Sequence, residues 1–343
     1  MTDLPGIRVA DVSAWLTAHA PDARAPYRFE HIAGGRSNLT YRVTDTAGHA
    51  WALRRPPLGH LLATAHDMSR EHRIVSALTP TEVPVAPLVG LCEDLSVNDA
   101  PFYVMGFVDG IVLRDEAAAR AVTSQVRTRS CESMVETLVT IHEVDVDAIG
   151  LGTLGRKEGY VARQLKRWRQ QFEDSKTREL PDIERVHDIL AARIPAQQGA
   201  GIVHGDFRLD NCIMAPSGDV RAVLDWELCT LGDVLCDVAQ LLVYWCEPSD
   251  EAFTVESPPT VVPGFFSRDQ VIEAYAARST LDLSGIDFYL SFAYWKVACI
   301  IEGVYARYRA GAMGEDVGSA NLESFARRVE LLASRAADTA SRL

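Results

Sequence analysis

The sequence predicts an α+β protein of two lobes, a small lobe with an antiparallel sheet and one main helix, followed by a larger, mainly helical lobe. Three observations predict this class. The 343 residues exceed what a single hydrophobic core usually organises. Strand and turn patterns dominate residues 27–108, and helical periodicity dominates the chain after them. The composition, 48% hydrophobic and 24% charged residues, is that of a globular protein.

The chain opens with a predicted lead-in segment, residues 1–26, that contains one amphipathic helix over residues 9–20. The segments YRFEHIA and LTYRVTD flank GGRSN, and HAWALRR follows the next turn. This pattern predicts a hairpin with a glycine-containing loop and then a third strand. Residues 27–108 are therefore expected to form the small lobe.

One helix is predicted inside the small lobe, over residues 68–78. Helical spacing places Ile74, Val75 and Leu78 on its buried face and Glu71 off that face. The apolar segments LVGLCED and PFYVMGFV then predict two further strands. The small lobe thus consists of a sheet with one main helix.

The large lobe is predicted over residues 109–343, with the boundary between the lobes near residues 106–110. Its first part is helical over residues 115–143, 157–174 and 181–193. The segments GIVHGDF, CIMAP and VRAVLDW resemble short strands, and the remainder is helical apart from a proline-rich loop over residues 256–264.

Charge and composition exclude several classes of protein. A formal net charge of −13 disfavours binding to nucleic acid, whose phosphates it would repel. The seven cysteines form no CxxC pair, which argues against a disulfide framework or a zinc site and predicts buried thiols.

The sequence also predicts a cytoplasmic protein with no membrane insertion. Its start, MTDLPGIRVADVSAW, lacks the basic and apolar pattern of a secretory signal. The most apolar stretch, residues 286–304, contains Asp287, Lys296 and Glu302, which are costly in hydrocarbon. That stretch is expected to be a buried helix.

The segment HGDFRLDNCIMAPSGDVRAVLDWE contains the residues best suited to chemistry. Asp206, Asn211 and Asp225 lie on or beside short apolar strands, which hold polar side chains rigidly. Phosphoryl transfer needs a carboxylate near the acceptor hydroxyl and oxygen ligands for Mg²⁺. The alternative is a polar turn region of an unrelated fold.

The spacing within this segment is similar to the H-R-D-L-x-x-x-N loop of protein kinases, an Asp followed five positions later by an Asn. The similarity assigns Asp206 as the catalytic base, and Asn211 and Asp225 as metal ligands. Arg208, two residues after the base, carries a permanent charge toward the transferring phosphate. A surface salt bridge is the alternative role for Arg208.

On these residues the chain resembles the aminoglycoside phosphotransferase and choline kinase superfamily, which has a protein-kinase-like fold. The motifs GGRSNLTYRV, ALRRPP, REHRIVSAL, PFYVMGFVDG and YWKVACIIEGVYARY further resemble the branch that also occurs fused to some acyl-CoA dehydrogenases. The resemblance spans about residues 29–309. It implies ATP and Mg²⁺ as cofactors and a hydroxylated small molecule as substrate.

The resemblance also identifies a nucleotide site in the small lobe. Its glycine loop allows backbone amides to approach phosphates, although an ordinary hairpin turn is the alternative. Arg54 replaces the usual lysine, with Arg55 beside it, and Glu71 is its expected helical partner. The remaining nucleotide-binding residues are those of the glycine loop and of the hinge, where a core strand end is the alternative: Gly34, Gly35, Ser37, Asn38, Met105 and Phe107.

Several other polar or aromatic residues are expected to be structural. Asp233 and Asp237 open a helix and are expected to cap or brace the metal loop. His142 lies on an amphipathic helix. Core or rim positions are expected for the residues of the late helix that forms the acceptor side in similar enzymes: Tyr289, Trp295, Lys296 and Glu302.

The leading hypothesis is ATP-dependent phosphorylation of a small-molecule hydroxyl. The acceptor candidates are a hydroxyacyl compound, an amino alcohol or sugar, and an aminoglycoside, with the hydroxyacyl compound ranked above the antibiotic. A nucleotide-binding regulatory module without turnover is the alternative. A metal-dependent hydrolase using His204 and Asp206 is a third possibility, although the sequence lacks the additional His cluster usual for such sites.

Overall fold

The computed structural model describes residues 4–32, 38–58, 67–250, 257–311 and 319–343. The helices in these ranges are α1 Val9–His19, α2 Met68–Leu78, α3 Glu116–Arg120, α4 Ser124–His142, α5 Tyr160–Ser175, α6 Pro181–Ala192, α7 Leu235–Tyr244, α8 Arg268–Ala276, α9 Ile286–Arg309 and α10 Ser319–Ala340. The strands are β1 Arg28–His31, β2 Leu39–Thr44, β3 Ala50–Arg55, β4 Leu88–Cys92, β5 Phe102–Gly106, β6 Gly201–Val203, β7 Cys212–Met214, β8 Val220–Val223 and β9 Thr230–Gly232.

Five strands form one antiparallel sheet in the order β1-β2-β3-β5-β4, as the hairpin and strand patterns predict. The β2–β3 turn is closed by Asp45, whose carboxylate accepts the amide hydrogens of Ala47 and His49 at 2.9 and 2.8 Å. Helix α1 packs Val12 and Leu16 into one apolar cluster with β2. The predicted lead-in helix is therefore confirmed.

Helix α2 is the main helix of the small lobe. Asp67 caps its N-terminus by accepting the Arg70 amide hydrogen at 3.0 Å. Ile74 and its apolar neighbours are buried as predicted. The prediction that Glu71 lies off the buried face is wrong, because Glu71 is only 2% exposed. Glu71 precedes Ile74, Val75 and Leu78 by three, four and seven positions, so helical spacing puts it on their face, and its polarity was misleading.

The rest of the described chain is mainly helical, and α9 lies at its centre, against α5, α6, α7 and α10. Trp295 and Phe292 of α9 are buried, so the predicted buried helix is confirmed. Within the described ranges, no helix combines the length and apolarity that a membrane span requires. All seven cysteines are buried and free, as predicted.

Two predictions for the large lobe need correction. The helical stretch over residues 115–143 divides into α3 and α4, because Thr123 caps α4 by accepting the Val126 amide hydrogen. Strand β9, predicted as helix, pairs antiparallel with β6. Three residues are too few for a recognisable period, and the pairing joins segments far apart in sequence. A Cβ at Gly232 of β9 would collide with the Tyr160 ring, so a glycine is needed there.

This architecture confirms the α+β class, a small antiparallel sheet with a main helix beside a larger helical part. The short strands β6 to β9 lie within the helical part and carry the segment singled out for chemistry.

Candidate active site

The loop after β6 is fixed by one buried carboxylate from α7. Asp237 accepts the amide hydrogens of His204 and Gly205 at 2.5 and 2.9 Å. Burial alone would raise the pKa of Asp237, but the hydrogen bond and charge of His142, with the amides, lower it. Gly205 has φ of +85° and lies against Leu228, so a side chain there would be strained. Asp237 therefore braces the loop after β6, whereas the prediction placed its contacts at the metal loop.

His204 is a structural residue of the same loop. It is fully buried, its Nδ1 accepts the Asp206 amide hydrogen at 3.2 Å, and its Nε2 lies 3.0 Å from the Leu224 carbonyl oxygen. This network assigns the ring hydrogen to Nε2. Both ring nitrogens are occupied, which leaves none to bind a metal and removes the support for a hydrolase site at His204.

Asp206 is held so that one carboxylate oxygen stays open. Asn211 donates its Nδ2 to the Asp206 backbone oxygen and to Oδ2, each at 2.8 Å, and Arg208 Nε lies 3.3 Å from Oδ2. Among the described residues, none donates to Oδ1. An acceptor hydroxyl can therefore approach Oδ1 while Oδ2 fixes the carboxylate.

Arg208 lies between two carboxylates and a ring. Its Nη2 is 3.0 Å from Asp210 Oδ2, and its guanidinium carbon lies 5.0 Å from the centre of the Tyr244 ring. Burial alone would lower the pKa of Arg208, but the charges of Asp206 and Asp210 raise it. Arg208 is therefore held by ion pairs with Asp206 and Asp210, and its role at the transferring phosphate stays a prediction.

Asp225 follows β8 and lies next to the Asn211 segment, because the Leu224 amide donates to the Asn211 carbonyl oxygen at 2.8 Å. Asp225 has φ of +65°, a left-handed conformation that side chains seldom adopt. A 3-10 turn over Trp226–Leu228 begins directly after it. The fold thus brings the two predicted metal ligands together, although they are fourteen positions apart in the chain.

Arg54 of β3 connects the small lobe to Asp225. Its Nε lies 3.1 Å from Glu71 Oε2, its Nη2 donates to Asp225 Oδ1, and Glu227 Oε2 is 3.8 Å away. The predicted Arg54–Glu71 pair therefore forms, with two further carboxylates around the same guanidinium. Burial raises the pKa of Glu71 to about 7 against the pull of Arg54.

This donor set fits Mg²⁺ in its chemistry. Three carboxylates surround one guanidinium, which leaves an excess of negative charge beside Asp225. The Asn211 amide nitrogen is occupied by Asp206, so its oxygen remains for a ligand. In the described ranges, no group of three or more His, Cys, Asp or Glu forms a ready-made cage. Mg²⁺ typically takes one or two carboxylates together with phosphate oxygens and water, which these residues allow.

The glycine loop is only partly described. Gly34, Gly35 and Ser37 lie outside the described residues. Asn38 is 3% exposed and donates its Nδ2 to Glu227 Oε2 at 2.9 Å, while its buried Oδ1 has no partner. Its predicted role at the nucleotide stays a prediction, and the unpaired oxygen is available to a ligand donor.

The residues at the predicted hinge differ in burial and in the hydrogen bonding of their backbone amides. Met105 is part of β5 and is buried. The Phe107 amide donates to the Ala50 carbonyl oxygen at 3.0 Å, and the Phe107 ring lies 4.5 Å from the Arg42 guanidinium. The Phe107 amide is thus already paired, whereas no hydrogen bond of the Val108 amide occurs in the described part of the chain.

Several of the residues expected to be structural have protein partners. Asp233 accepts from the Tyr289 hydroxyl at 2.8 Å, and Trp295 donates to the Ile183 carbonyl oxygen at 2.9 Å. His142 Nδ1 lies 2.7 Å from the Tyr275 hydroxyl. Sequence reasoning missed two contributors, Tyr244 and Arg70. Tyr244 lies 36 positions beyond Arg208, and no local signal in the sequence predicts the contact.

The fold and the arrangement of these residues are those of a two-lobed, protein-kinase-like phosphotransferase, in which Arg54 joins the small sheet lobe to the loop that carries Asp225. The chain belongs to the phosphotransferase enzyme family, whose family model matches residues 28–257. The resemblance seen in the sequence is thereby confirmed. This family consists of phosphotransferase enzymes.

Similar proteins place the chain within this family. It is 35% identical over 340 residues, 95% of this chain, to acyl-CoA dehydrogenase family member 10 of Mus musculus. The chain spans 30% of that protein and at most 40% of the other acyl-CoA dehydrogenase relatives.

Solved structures show the same fold. A crystal structure from Ralstonia eutropha JMP134, provisionally assigned as an aminoglycoside phosphotransferase, has a TM-score of 0.82 and 30% identity, and the match covers 97% of this chain and 98% of that one. A spectinomycin phosphotransferase, solved with ADP and spectinomycin, has a TM-score of 0.62 at 13% identity, over 99% and 100% of the two chains.

Proposed function

We propose that the protein transfers the γ-phosphate of ATP to a hydroxyl group of a small molecule, with Asp206 as the catalytic base. This proposal rests on the way in which the Asp206 carboxylate is fixed. Its Oδ2 is fixed by Asn211 and Arg208, and its Oδ1 is open to an acceptor. In the transfer, Asp206 accepts the hydroxyl proton as the acceptor oxygen bonds to the γ-phosphorus, and the bond to the β-phosphate oxygen breaks to release ADP.

The charges around Asp206 match this reaction. Asn211 and Asp225 supply oxygens for Mg²⁺, which neutralises the triphosphate when it is bound. Arg208, already beside Asp206, stabilises charge on the transferring phosphate. Arg54 serves as the cation that pairs with the phosphates and with Glu71.

We assign ATP binding to residues 27–108 and acceptor binding to residues 109–343. The glycine loop of Gly34, Gly35, Ser37 and Asn38 covers the phosphates, and the strand end from Met105 to Phe107 faces the adenine. The free Val108 amide is the donor best suited to the adenine edge, since the Phe107 amide is paired. The ADP complex of the spectinomycin phosphotransferase supports a nucleotide in this cleft.

The need for ATP and the seven free cysteines support a cytoplasmic location.

Three acceptor classes fit a hydroxyl-directed site: a hydroxyacyl compound, an amino alcohol and an aminoglycoside. The hydroxyacyl compound ranks first, because two curated relatives, 35% and 32% identical, are an acyl-CoA dehydrogenase family member and a probable acyl-CoA dehydrogenase. The dehydrogenase activity of those longer proteins is not carried over to this chain.

One observation favours a second candidate, a nucleotide-binding module without turnover. Arg54 stands at the position of the usual lysine and bonds directly to Asp225, which could prevent the metal from binding there. Retention of Asp206, Asn211 and Asp225 together argues for catalysis.

The test measures ADP release from Mg-ATP with a panel of hydroxylated acceptors from all three classes. Asp206→Asn should lower kcat by roughly 10²- to 10⁴-fold while ATP still binds, because general base catalysis is lost. Asp219→Asn is the matched control, since Asp219 lies in the exposed β7–β8 turn and pairs with Arg129. ATP binding without turnover for every acceptor would instead support the regulatory module.

A further inference from the structure

Lys296 of α9 is a half-buried ammonium without an ion-pair partner among the described residues. Its Nζ makes one hydrogen bond, to Gln240 Oε1 at 3.3 Å. In the described part of the chain, this neutral amide oxygen is the hydrogen-bond partner of Lys296, and no carboxylate pairs with it. Burial lowers the pKa of Lys296, as expected for an ammonium that has lost water without gaining a full set of partners.

Another charged residue of α9, Glu302, has several hydrogen-bond partners within the protein. Glu302 is fully buried and accepts hydrogen bonds from the Thr177 amide, the Thr177 hydroxyl and Arg178 at 2.8 to 2.9 Å. Lys296 has instead one neutral partner, the Gln240 side chain, which leaves its charge available to a ligand.

The position of Lys296 relative to Asp206 indicates which ligand it binds. Gln240 lies on α7 four residues before Tyr244, on the same face of that helix. The guanidinium carbon of Arg208 lies 5.0 Å from the centre of the Tyr244 ring, and Arg208 Nε lies 3.3 Å from Asp206 Oδ2. Lys296 therefore lies behind the acceptor side of the proposed base, and Asp206 is among the charges that act on it.

Solvent reaches this position even though protein surrounds it. Lys296 and Tyr244 are both partly exposed, whereas their neighbours Trp295 and Val243 are buried. The charge of Arg208 is already balanced by Asp206 and Asp210, whereas Lys296 has no carboxylate partner among the described residues.

We propose that Lys296 binds an anionic group of the acceptor, and that the acceptors are small molecules with both a hydroxyl and a carboxylate. This inference rests on the proposed function. One lysine beside a neutral amide suits a single negative charge, whereas a phosphate dianion is usually met by forked arginine contacts. Amino alcohols and aminoglycosides are disfavoured, because their ammonium groups would lie against Lys296 and Arg208.

The experiment compares hydroxycarboxylates of several chain lengths with their primary amides, which have the same size and no charge. The wild-type enzyme is expected to have a lower KM for the acids. Lys296→Met should raise the KM for acids by about 10- to 100-fold with little change in kcat, and leave the amides unaffected. Lys296→Arg keeps the charge and should restore most of the acid preference. Lys166→Met removes an exposed lysine of α5 and serves as the control.

A binding measurement keeps the inference testable if no acceptor turns over, which would be a failure of the proposed function alone. Calorimetric titration of the same acids into wild type and Lys296→Met should show binding that the variant loses. Equal binding of acids and amides by wild type, or an equal loss of both in Lys296→Met, would overturn the inference. The melting temperature separates a structural role. Removal of an unpaired buried charge should leave it unchanged or raised, and a large fall would mean that Lys296 supports the fold.

Discussion

Arg54 has two carboxylate partners on opposite sides of the cleft, and its side-chain geometry makes this possible. Its Nε contacts Glu71 of α2 at 3.1 Å, and its Nη2 donates to Asp225. A guanidinium is a planar fork that can serve both partners at once, whereas an ammonium is a point charge. The charges of Glu71 and Asp225 raise the pKa of Arg54 although burial opposes this, so it stays charged at any pH of interest.

This geometry predicts how substitutions at Arg54 rank. Arg54→Lys keeps the charge at Glu71 and loses the second contact, so kcat/KM for ATP should fall by less than roughly tenfold. Arg54→Met removes the charge and should cost about 100-fold or more. Steady-state kinetics with varied Mg-ATP checks the ranking. Equal losses in both variants would show that the fork, and not the charge, is what the reaction needs.

At the scale of elements, α2 and the loop after β8 are tied by donors that all come from the small lobe. Arg70 of α2 donates to the Glu227 carbonyl oxygen at 3.4 Å and to the Cys229 carbonyl oxygen at 2.6 Å. Asn38 donates to the Glu227 side chain in the same loop. The loop supplies the acceptors, so the small lobe helps to determine where Asp225 lies.

Arg70 should therefore affect the metal without contacting it. Arg70→Met is expected to raise the Mg²⁺ concentration for half-maximal rate by roughly 5- to 10-fold, because a charge-assisted bond that positions the Asp225 loop is lost. Arg73→Met is the matched control, since Arg73 lies one turn along α2 and instead bonds Gly150 and Thr153. Magnesium titrations at saturating ATP measure the effect. If both variants shift the titration alike, the loop is held by something other than Arg70.

For the whole molecule, the buried Glu71 links stability to pH. Burial raises its pKa from 4.5 to about 7. Between these values the unfolded chain has released the proton and the folded protein still holds it, so the folded state binds more protons. Stability contributed by this group is full below about pH 4.5 and is lost as the pH rises through 7.

Urea unfolding without Mg²⁺ and nucleotide, from pH 4.5 to 8.5, tests this linkage. The wild-type free energy of unfolding should fall by up to about 3 kcal/mol from Glu71 alone, and Glu71→Gln should remove that part of the slope. Glu30→Gln, at an exposed position of β1, is the control. Identical slopes for Glu71→Gln and wild type would contradict the pKa of about 7.

The order of the elements was predictable, because apolar periodicity and turn residues are local properties. Helices α1, α2 and α9 and the five-stranded sheet follow from these patterns. Strand β9 did not follow from these patterns, because three residues are too few to show a periodicity and its partner β6 lies about 30 positions earlier. The break between α3 and α4 was missed for a related reason, as a single capping threonine decides it.

The sequence by itself determined the family and the residues of the catalytic loop, because the spacing from Asp206 to Asn211 fixes both side chains within one short loop. Only the tertiary structure decided which charges meet across that loop. Arg54 reaches Asp225 as well as Glu71, and Lys296 has no carboxylate partner among the described residues. These outcomes depend on the distances and solvation of side chains far apart in sequence, which no local pattern contains.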